Sequence, residues 1–297
     1  MNQPEDEMLM SFPEPCSRMT GRTSGNSARA AELRPLVMRN EPARMGVRYL
    51  GGPTALLELG GLRLLTDPTF DPPGDYPIGN RSLCKTIGAV ASPDDVGRVD
   101  AVLLSHDQHP DNLDGQGRSF LAAAPLVLST AAAQQRLGGT VRALPNWQHL
   151  ELPRGDLAAL RVTGVPARHG PPGCEPTTGP VTGFVLTADG LPSVYVSGDN
   201  ASLEVVGAVA DRFGPVDVAI LFTGAARTAL LDGAYLTLTS AQAAEAAIVL
   251  GARHVVPMHF EGWAHFSQGR DTLDAAFTTA GLRDRLHILE LGQRATI

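Results

Sequence analysis

The chain of 297 residues lacks several features that define whole classes of protein. It contains no apolar run approaching the roughly 20 residues that a membrane-spanning helix needs. It has no run of lysine and arginine, and its net charge of −7 argues against nucleic-acid binding, which requires a basic patch or stripe. Cysteine is scarce: Cys16, Cys84 and Cys174 form an odd, widely spaced set. We therefore expect no membrane span and no nucleic-acid partner, and we expect a reducing cytoplasm rather than a disulfide framework.

The first 45 residues differ in character from the rest of the chain. They carry most of the methionines and scattered charge, without sustained periodicity. They show no apolar segment followed by a small-residue cleavage site, so we do not expect a secretory signal. The pattern predicts a poorly ordered N-terminal extension over residues 1–45 and a packed domain over residues 46–297.

From Val47 onward, short apolar runs alternate with helical patterns. Two apolar runs flank Gly60-Gly61, which predicts a hairpin. The runs "DAVLLSH" and "VDVAILFT" indicate buried strands, whereas "AAAQQRLGG" and "SAQAAEAAIVLG" indicate helices. The segment "PTFDPPGDYPIGN" is rich in proline and glycine and is predicted to be a loop. Strand clusters flanked by helices predict an α/β fold of four layers, with two packed sheets inside helices.

Histidines and aspartates follow five of the predicted strands. These residues are Asp67, the segment from His106 to Asn112, His169, Asp199 and His259. A single such residue usually caps a turn or makes a structural hydrogen bond. Five together favour a metal site, because a buried and unpaired ionisable group costs several kcal/mol unless something compensates it. Histidine and aspartate are suitable ligands for zinc, manganese or iron.

The order of these segments resembles one family. The stretches "LLSHDQHPDNLD", "ARHG", "SGDN" and "VPMHF" resemble the metallo-β-lactamase superfamily. The similarity is to the branch that includes the L-ascorbate-6-phosphate lactonase and the phospholipase D acting on N-acyl-phosphatidylethanolamine. It implies a four-layer αββα sandwich, a hydrolase domain over residues 46–297, and one or two divalent transition metal ions at one edge of the sheets. Zinc is expected first, with manganese or iron as alternatives.

The chain departs from the family's H-x-H-x-D-H motif. If Asp111-Asn112-Leu113-Asp114 sets the register, His109 is the second histidine and Asn112 stands where the third belongs. The first histidine position then falls on Asp107, with His106 displaced by one residue. If His106 sets the register, the second histidine position falls on Gln108. In either case at least one histidine ligand is missing. We favour the register with His109, in which the chain bulges between the two histidines.

The resemblance also implies roles for the residues. In this scheme His106, His109 and His169 hold a first metal, Asp111 and His259 hold a second, and Asp199 bridges the two. Asp67 and Asn112 lie behind the ligands, where Asp67 orients the histidine loop through hydrogen bonds. Asp111 helps to accept the proton of the attacking water. Since the leaving group needs an acid, His265 is a candidate proton donor, and the alternative is a surface or packing histidine beside Trp263. With a site that holds one metal, Asn112 or Gln108 contacts water or substrate instead.

Two functions from different classes remain open at this point. The first is a metal-dependent hydrolase acting on a small ester, lactone or phosphodiester through a metal-activated water. The second is a non-catalytic binding or sensor protein on the same fold with a degenerate metal site. The sequence decides neither the substrate nor the oligomeric state. We expect substrate selection to depend on loops such as residues 68–88 and 224–236.

The N-terminal extension gives a first test. Because its residues lack periodicity and follow none of the family pattern, deleting residues up to about Arg44 should leave both the fold and any activity intact. Thermal melting and metal content of the truncated protein measure this. A truncated chain that aggregates or loses metal would show that the extension belongs to the packed domain.

Overall fold

The computed structural model describes residues 44–297. The predicted extension therefore lies outside the described residues, apart from its last two positions. Met45 is fully buried, and its backbone exchanges hydrogen bonds of 3.0 and 2.8 Å with Ile297. The packed domain thus includes Met45, one residue before the predicted boundary, because its side chain lies in the core between the sheets.

The domain consists of fifteen strands within the described residues. They are β1 (Gly46–Gly51), β2 (Thr54–Leu59), β3 (Leu62–Thr66), β4 (Gly74–Ile78), β5 (Arg81–Lys85), β6 (Ala101–Leu103), β7 (Val127–Ser129), β8 (Val141–Ala143), β9 (His149–Arg154), β10 (Leu157–Pro166), β11 (Thr182–Thr187), β12 (Val194–Val196), β13 (Val218–Phe222), β14 (His254–Met258) and β15 (Arg294–Thr296).

Seven α-helices and two short 3₁₀ helices connect the strands of this region. The α-helices are α1 (Pro93–Val96), α2 (Gly115–Ala123), α3 (Ala131–Leu137), α4 (Glu175–Thr178), α5 (Leu203–Phe213), α6 (Ser240–Val249) and α7 (Arg270–Thr279). The 3₁₀ helices span Ala229–Leu231 and Arg283–Arg285. Within residues 44–297, no helix has both the length and the apolar character needed to cross a membrane.

The strands form two large sheets and one separate hairpin. The first sheet has the order β15-β1-β2-β3-β6-β7-β8, and the second has the order β14-β13-β12-β11-β10-β9. In the first sheet β3, β6, β7 and β8 run parallel, and in the second β12, β13 and β14 do so. The predicted hairpin at Gly60-Gly61 joins β2 to β3, with Leu59 paired to Leu62.

Three apolar clusters define the layers. The largest lies between the two sheets and contains residues of both, such as Leu57 and Leu64 from the first and Phe184 and Ile220 from the second. A second cluster joins the outer face of the second sheet to α5, α6 and α7, and a third joins the outer face of the first sheet to α2 and its neighbours. Helices therefore cover both outer faces. The predicted four-layer αββα sandwich is confirmed.

The segment after Asp67 differs from its prediction as a loop. Part of it forms the hairpin of β4 and β5, in which Tyr76 pairs with Leu83. The stem of this hairpin is fixed by Lys85, whose ammonium group donates to the Asp114 carboxylate at 3.1 Å and lies over the Trp263 ring. Proline and glycine obscure the alternation of a short hairpin, and tertiary contacts hold this one in place.

The carboxyl ends of several strands meet at one edge of the sandwich. Asp67 directly follows β3, and the loop that begins at Leu104 follows β6, so both leave the first sheet at this edge. His259 follows β14 in the second sheet, and its amide donates at 2.8 Å to the carbonyl of Gly52, in the turn that joins β1 to β2 of the first sheet. This cross-sheet bond holds the two strand ends together.

Helix α2 is packed tightly against the chain next to Asp67. A Cβ at Gly117 would lie 1.9 Å from the carbonyl oxygen of Pro68, so we expect Gly117→Ala to lower the free energy of unfolding by about 2 kcal/mol or more through overpacking. Gly207 of α5 is a matched control, since a Cβ there would meet no described residue within 4 Å. Gly207→Ala should raise the free energy of unfolding by about 0.5–1 kcal/mol. Equal effects of the two changes in urea denaturation would contradict this packing argument.

Candidate metal centre

The loop between β6 and α2 brings His106 and His109 together. His106 Nε2 lies 2.9 Å from His109 Nδ1. The two residues between them, Asp107 and Gln108, point away toward α3. Arg136 of that helix donates from Nε to Asp107 Oδ2 at 2.8 Å and from Nη2 to Gln108 Oε1 at 3.1 Å. The structure therefore places His109, rather than Gln108, next to His106.

Two further residues complete a first cluster. The possible ligand atoms of His106, His109, His169 and Asp199 all lie within 4.8 Å of one another. His169 donates from Nδ1 to the carbonyl of Leu236 at 2.7 Å, which directs its Nε2 toward Asp199 Oδ2 at 3.5 Å. A hydrogen bond of this kind fixes which nitrogen keeps its lone pair for a metal.

The two histidines of the β6–α2 loop are held neutral by their surroundings. Burial lowers the pKa of His109 to about 4, and burial also holds the pKa of His106 well below its usual value. Near neutral pH both rings are therefore unprotonated. Neutral imidazole is the form that binds a transition metal.

A second group of side chains lies on the other side of Asp199. His259 Nε2 is 3.4 Å from Asp199 Oδ1 and 3.5 Å from Asp111 Oδ2, while His265 Nε2 is 3.0 Å from the same Asp111 oxygen. Asp111 Oδ1 and both ring nitrogens of His259 are buried without a hydrogen-bond partner in residues 44–297. Asp199 therefore presents one oxygen to each group of histidines.

In this second group, the histidines and the carboxylates shift one another's pKa values. Burial lowers the pKa of His259, but the Asp199 and Asp111 carboxylates outweigh burial and raise it to about 10. Burial likewise raises the pKa of Asp199, but the neighbouring histidines reverse the shift and hold it below the usual range. Two buried carboxylates thus face the His259 ring and hold a proton on it, and a divalent metal would have to replace this proton to bind there. The donor set of the first cluster fits a divalent transition metal, since its ligand atoms lie within 4.8 Å of one another and zinc accepts histidine and carboxylate ligands.

Asp67 and Asn112 lie behind these groups. Asp67 Oδ1 accepts from the Ser105 amide at 2.5 Å, which holds the start of the histidine loop against β3. Asn112 Nδ2 donates to Asp199 Oδ1 at 3.3 Å and faces Asp67 Oδ2 at 3.5 Å. Burial raises the pKa of Asp67 to about 8, against the effect of the Ser105 hydrogen bond.

Two of the site residues adopt an unusual backbone conformation. Asp67 has φ of 25° and His259 has φ of 55°, in the left-handed region that residues with a Cβ rarely occupy. Such conformations cluster at functional sites because the surrounding structure enforces them. At His259 the hydrogen bond from its amide to the Gly52 carbonyl helps to hold this backbone conformation.

A pocket opens next to both groups of histidines. It is lined by His109, Asp111, His169 and His265, and its outer walls come from two segments that the sequence indicated for substrate selection. Those walls are Ile78, Arg81 and Leu83 of the β4–β5 hairpin together with Ala226, Arg227, Thr228 and Leu230 after β13. Arg81 Nη1 donates to Thr228 Oγ1 at 3.1 Å and joins the two walls.

Sequence reasoning missed two contributors to this geometry. The first is Arg136, whose sequence surroundings in α3 do not indicate a contact with the histidine loop. Its importance comes from its ion pair with the buried Asp107. The second contributor is the backbone carbonyl of Leu236, which orients His169. The type of residue at position 236 gives no sign of this contact.

The register of the loop predicts a clear difference between two neighbouring substitutions. His109→Ala should weaken metal binding at least about 100-fold, because it removes a ligand from the first cluster. Gln108→Ala should leave metal affinity within a few-fold, since within residues 44–297 the Gln108 side chain bonds to Arg136 and to the carbonyls of Thr178 and Pro180 and to none of the four clustered residues. Competition with a chelator measures both affinities. Equal affinity in His109→Ala and the unsubstituted protein would show that the register is wrong.

Comparison with known proteins relates this chain to one family. A family model for the beta-lactamase superfamily domain matches residues 62–260. A metal-dependent hydrolase from Pyrococcus abyssi is 27% identical over 225 residues, which cover 74% of this chain and 87% of that protein.

Solved structures show the same fold at low identity. An isothiocyanate hydrolase from Delia radicum gut bacteria aligns with a TM-score of 0.70 at 20% identity, over 84% of this chain and 98% of its own. A possible metal-dependent hydrolase from Veillonella parvula aligns with a TM-score of 0.74 at 19% identity, over 86% of this chain and 100% of its own. With the family model covering more than half of the sequence, this chain belongs to the beta-lactamase superfamily and has the metallo-β-lactamase fold.

Proposed function

We propose that the protein is a metal-dependent hydrolase in which a metal-activated water attacks an ester, lactone or phosphodiester. One observation carries the proposal: His106, His109, His169 and Asp199 come from three separate loops, yet their ligand atoms lie within 4.8 Å of one another. Its relatives are named metal-dependent hydrolases, which supports the same class. We further propose zinc as the metal, with manganese or iron as alternatives, and a reducing cytoplasm as the compartment.

The residues divide into two ligand groups in this proposal. His106, His109 and His169 would hold a first ion, and Asp111 and His259 would hold a second. Asp199 lies between them with one oxygen toward His169 and the other toward His259. When bound, a divalent transition metal lowers the pKa of a water molecule and stabilises negative charge that develops on oxygen.

Proton transfer in this site falls to side chains near the attacking water. Asp111 is 5% exposed, and its Oδ1 has no hydrogen-bond partner within residues 44–297, so this oxygen is free to accept the proton of the water. Asp67 and Asn112 act through the groups that they touch. Asp67 holds the Ser105 amide at the start of the histidine loop, and Asn112 donates to the oxygen of Asp199 that faces His259.

The pocket supports a small substrate with apolar and polar parts. Ile78, Leu83 and Leu230 provide apolar surface, while Arg81 and Thr228 provide donors at the rim. A carbonyl or phosphoryl group entering past these residues meets His109, Asp111 and His169 at the base. Ester, lactone and phosphodiester substrates share such a group, and the wall residues select among them.

The degenerate binding protein remains the competing function, favoured by the neutral Asn112 at a position where the motif has histidine. The two functions differ in metal content. A hydrolase of this kind holds at least one tightly bound transition metal per chain, whereas a degenerate scaffold holds none.

Metal removal tests the proposal directly. Chelation should abolish hydrolysis of the active substrate in a screen of esters, lactones and phosphodiesters, and adding zinc back should restore it. At a free metal concentration of 100 Kd the folded state gains about 2.7 kcal/mol, which corresponds to a rise in Tm of about 5–10 °C. Elemental analysis showing well under one equivalent, with no shift in Tm, would contradict the proposal.

Asp199 gives a second test by substitution. Asp199→Asn keeps the size of the side chain but removes the charge that both ligand groups share, so we expect hydrolysis to fall at least about 100-fold together with metal affinity. His287→Ala is the control, because this histidine pairs with His254 at 2.9 Å, away from the pocket that the ligand groups line. Full activity and full metal content in Asp199→Asn would rule out the shared carboxylate.

A further inference from the structure

We propose that His265 is a metal ligand, which replaces the histidine missing at position 112 and completes the second ligand group with Asp111, His259 and Asp199. This inference rests on the proposed function, since it assigns a donor to a metal centre of that hydrolase. It gives His265 a role other than the proton donor expected from the sequence.

Position 112 offers only a weak donor in its observed geometry. The Asn112 amide nitrogen is turned toward Asp199 Oδ1 at 3.3 Å and toward Asp67 Oδ2 at 3.5 Å. The Asn112 carbonyl oxygen is buried without a hydrogen-bond partner in residues 44–297, but a neutral carboxamide is a weaker ligand for a transition metal than imidazole. Without another residue, the second group has His259, Asp111 and a share of Asp199.

His265 lies where that donor is needed. Its Nε2 is 3.0 Å from Asp111 Oδ2, the same oxygen that His259 Nε2 approaches at 3.5 Å. Its other nitrogen, Nδ1, is buried and has no hydrogen-bond partner in the described part of the chain. With His265 the group would offer two imidazole nitrogens and two carboxylate oxygens, the number of ligands that structural zinc takes.

The segment that carries His265 is built to hold it. The ring of Phe266 packs against both histidines, with centroids 4.7 Å from His259 and 4.5 Å from His265. A Cβ at Gly224 would lie 2.4 Å from the His259 carbonyl oxygen and 2.5 Å from the Phe266 ring, so only glycine permits this approach.

Backbone hydrogen bonds fix the same segment from two sides. The Ala264 amide donates to the Cys84 carbonyl at 2.9 Å, and the Ser267 amide donates to the Gly224 carbonyl at 3.0 Å. The backbone that carries His265 is therefore anchored on both sides, at Ala264 and at Ser267. A positioned ring of this kind loses little freedom when it binds a metal.

The ligand and proton-donor roles differ in what lies between His265 Nε2 and Asp111 Oδ2. If His265 is a proton donor, a proton lies between these two atoms, and substituting His265 slows hydrolysis without changing the number of bound metal ions. A ligand shares a metal ion with the carboxylate, so its loss removes that ion. Metal stoichiometry therefore separates the two roles without reference to activity.

The experiment compares His265→Ala and His265→Gln with the unsubstituted protein and with His287→Ala. Each protein is loaded with Zn²⁺, passed over a desalting column and measured by elemental analysis, and affinities are taken from competition with a chelator. We expect two ions in the unsubstituted protein and in His287→Ala. Both His265 variants should keep one tight ion and bind the second at least about 100-fold more weakly. His265→Gln preserves the size of the side chain, and melting of the metal-free proteins checks that each variant folds.

Two results would overturn the inference. One is a single ion in the unsubstituted protein, which leaves the first group and the proposed hydrolase intact. The other is two tight ions in folded His265 variants, which, if hydrolysis is slowed, returns His265 to the role of proton donor. An unsubstituted protein that binds no ion contradicts the proposed function itself and is distinguishable from both.

Discussion

The arrangement of the site depends on the burial of one carboxylate. Asp199 is 1% exposed and faces histidines on two sides, with His169 at one oxygen and His259 at the other. An ionised group in the interior requires compensation by partners of opposite charge or by a metal. The histidines, the Asn112 donor and the pocket beside them are all placed around this carboxylate.

The sandwich meets this requirement by bringing strand ends from two sheets to one edge. The hydrogen bond from the His259 amide to the Gly52 carbonyl joins the sheets, and Asp67 holds the Ser105 amide where the histidine loop begins. Both His259 and Asp67 have positive φ. Their strained backbone is held by the apolar core below them, so the rigidity of the sheets positions the ligands.

Much of this could be predicted from the sequence, because strand ends are local features. Asp67, His169, Asp199 and His259 each follow a recognisable apolar strand, and the structure brings them to the same edge. The register of the histidine loop could not be fixed in the same way. It depends on Arg136, which lies 29 residues after Asp107 and 28 residues after Gln108 and bonds to both side chains. The β4–β5 hairpin was missed for a related reason, since its stem is held by Lys85 and Asp114 rather than by its own sequence pattern.

The β4–β5 hairpin has a consequence for how this enzyme family diversifies. Its stem is anchored by a buried ion pair of Lys85 and Asp114, while its tip contributes Ile78 and Arg81 to the pocket wall and none of the proposed ligands. In the proposed hydrolase, substrate selectivity and reaction chemistry would therefore be encoded in different stretches of polypeptide. Substitutions at the hairpin tip can then change which substrates fit the pocket while the proposed metal ligands stay unchanged. New substrate specificities can therefore arise by changes in this surface loop alone.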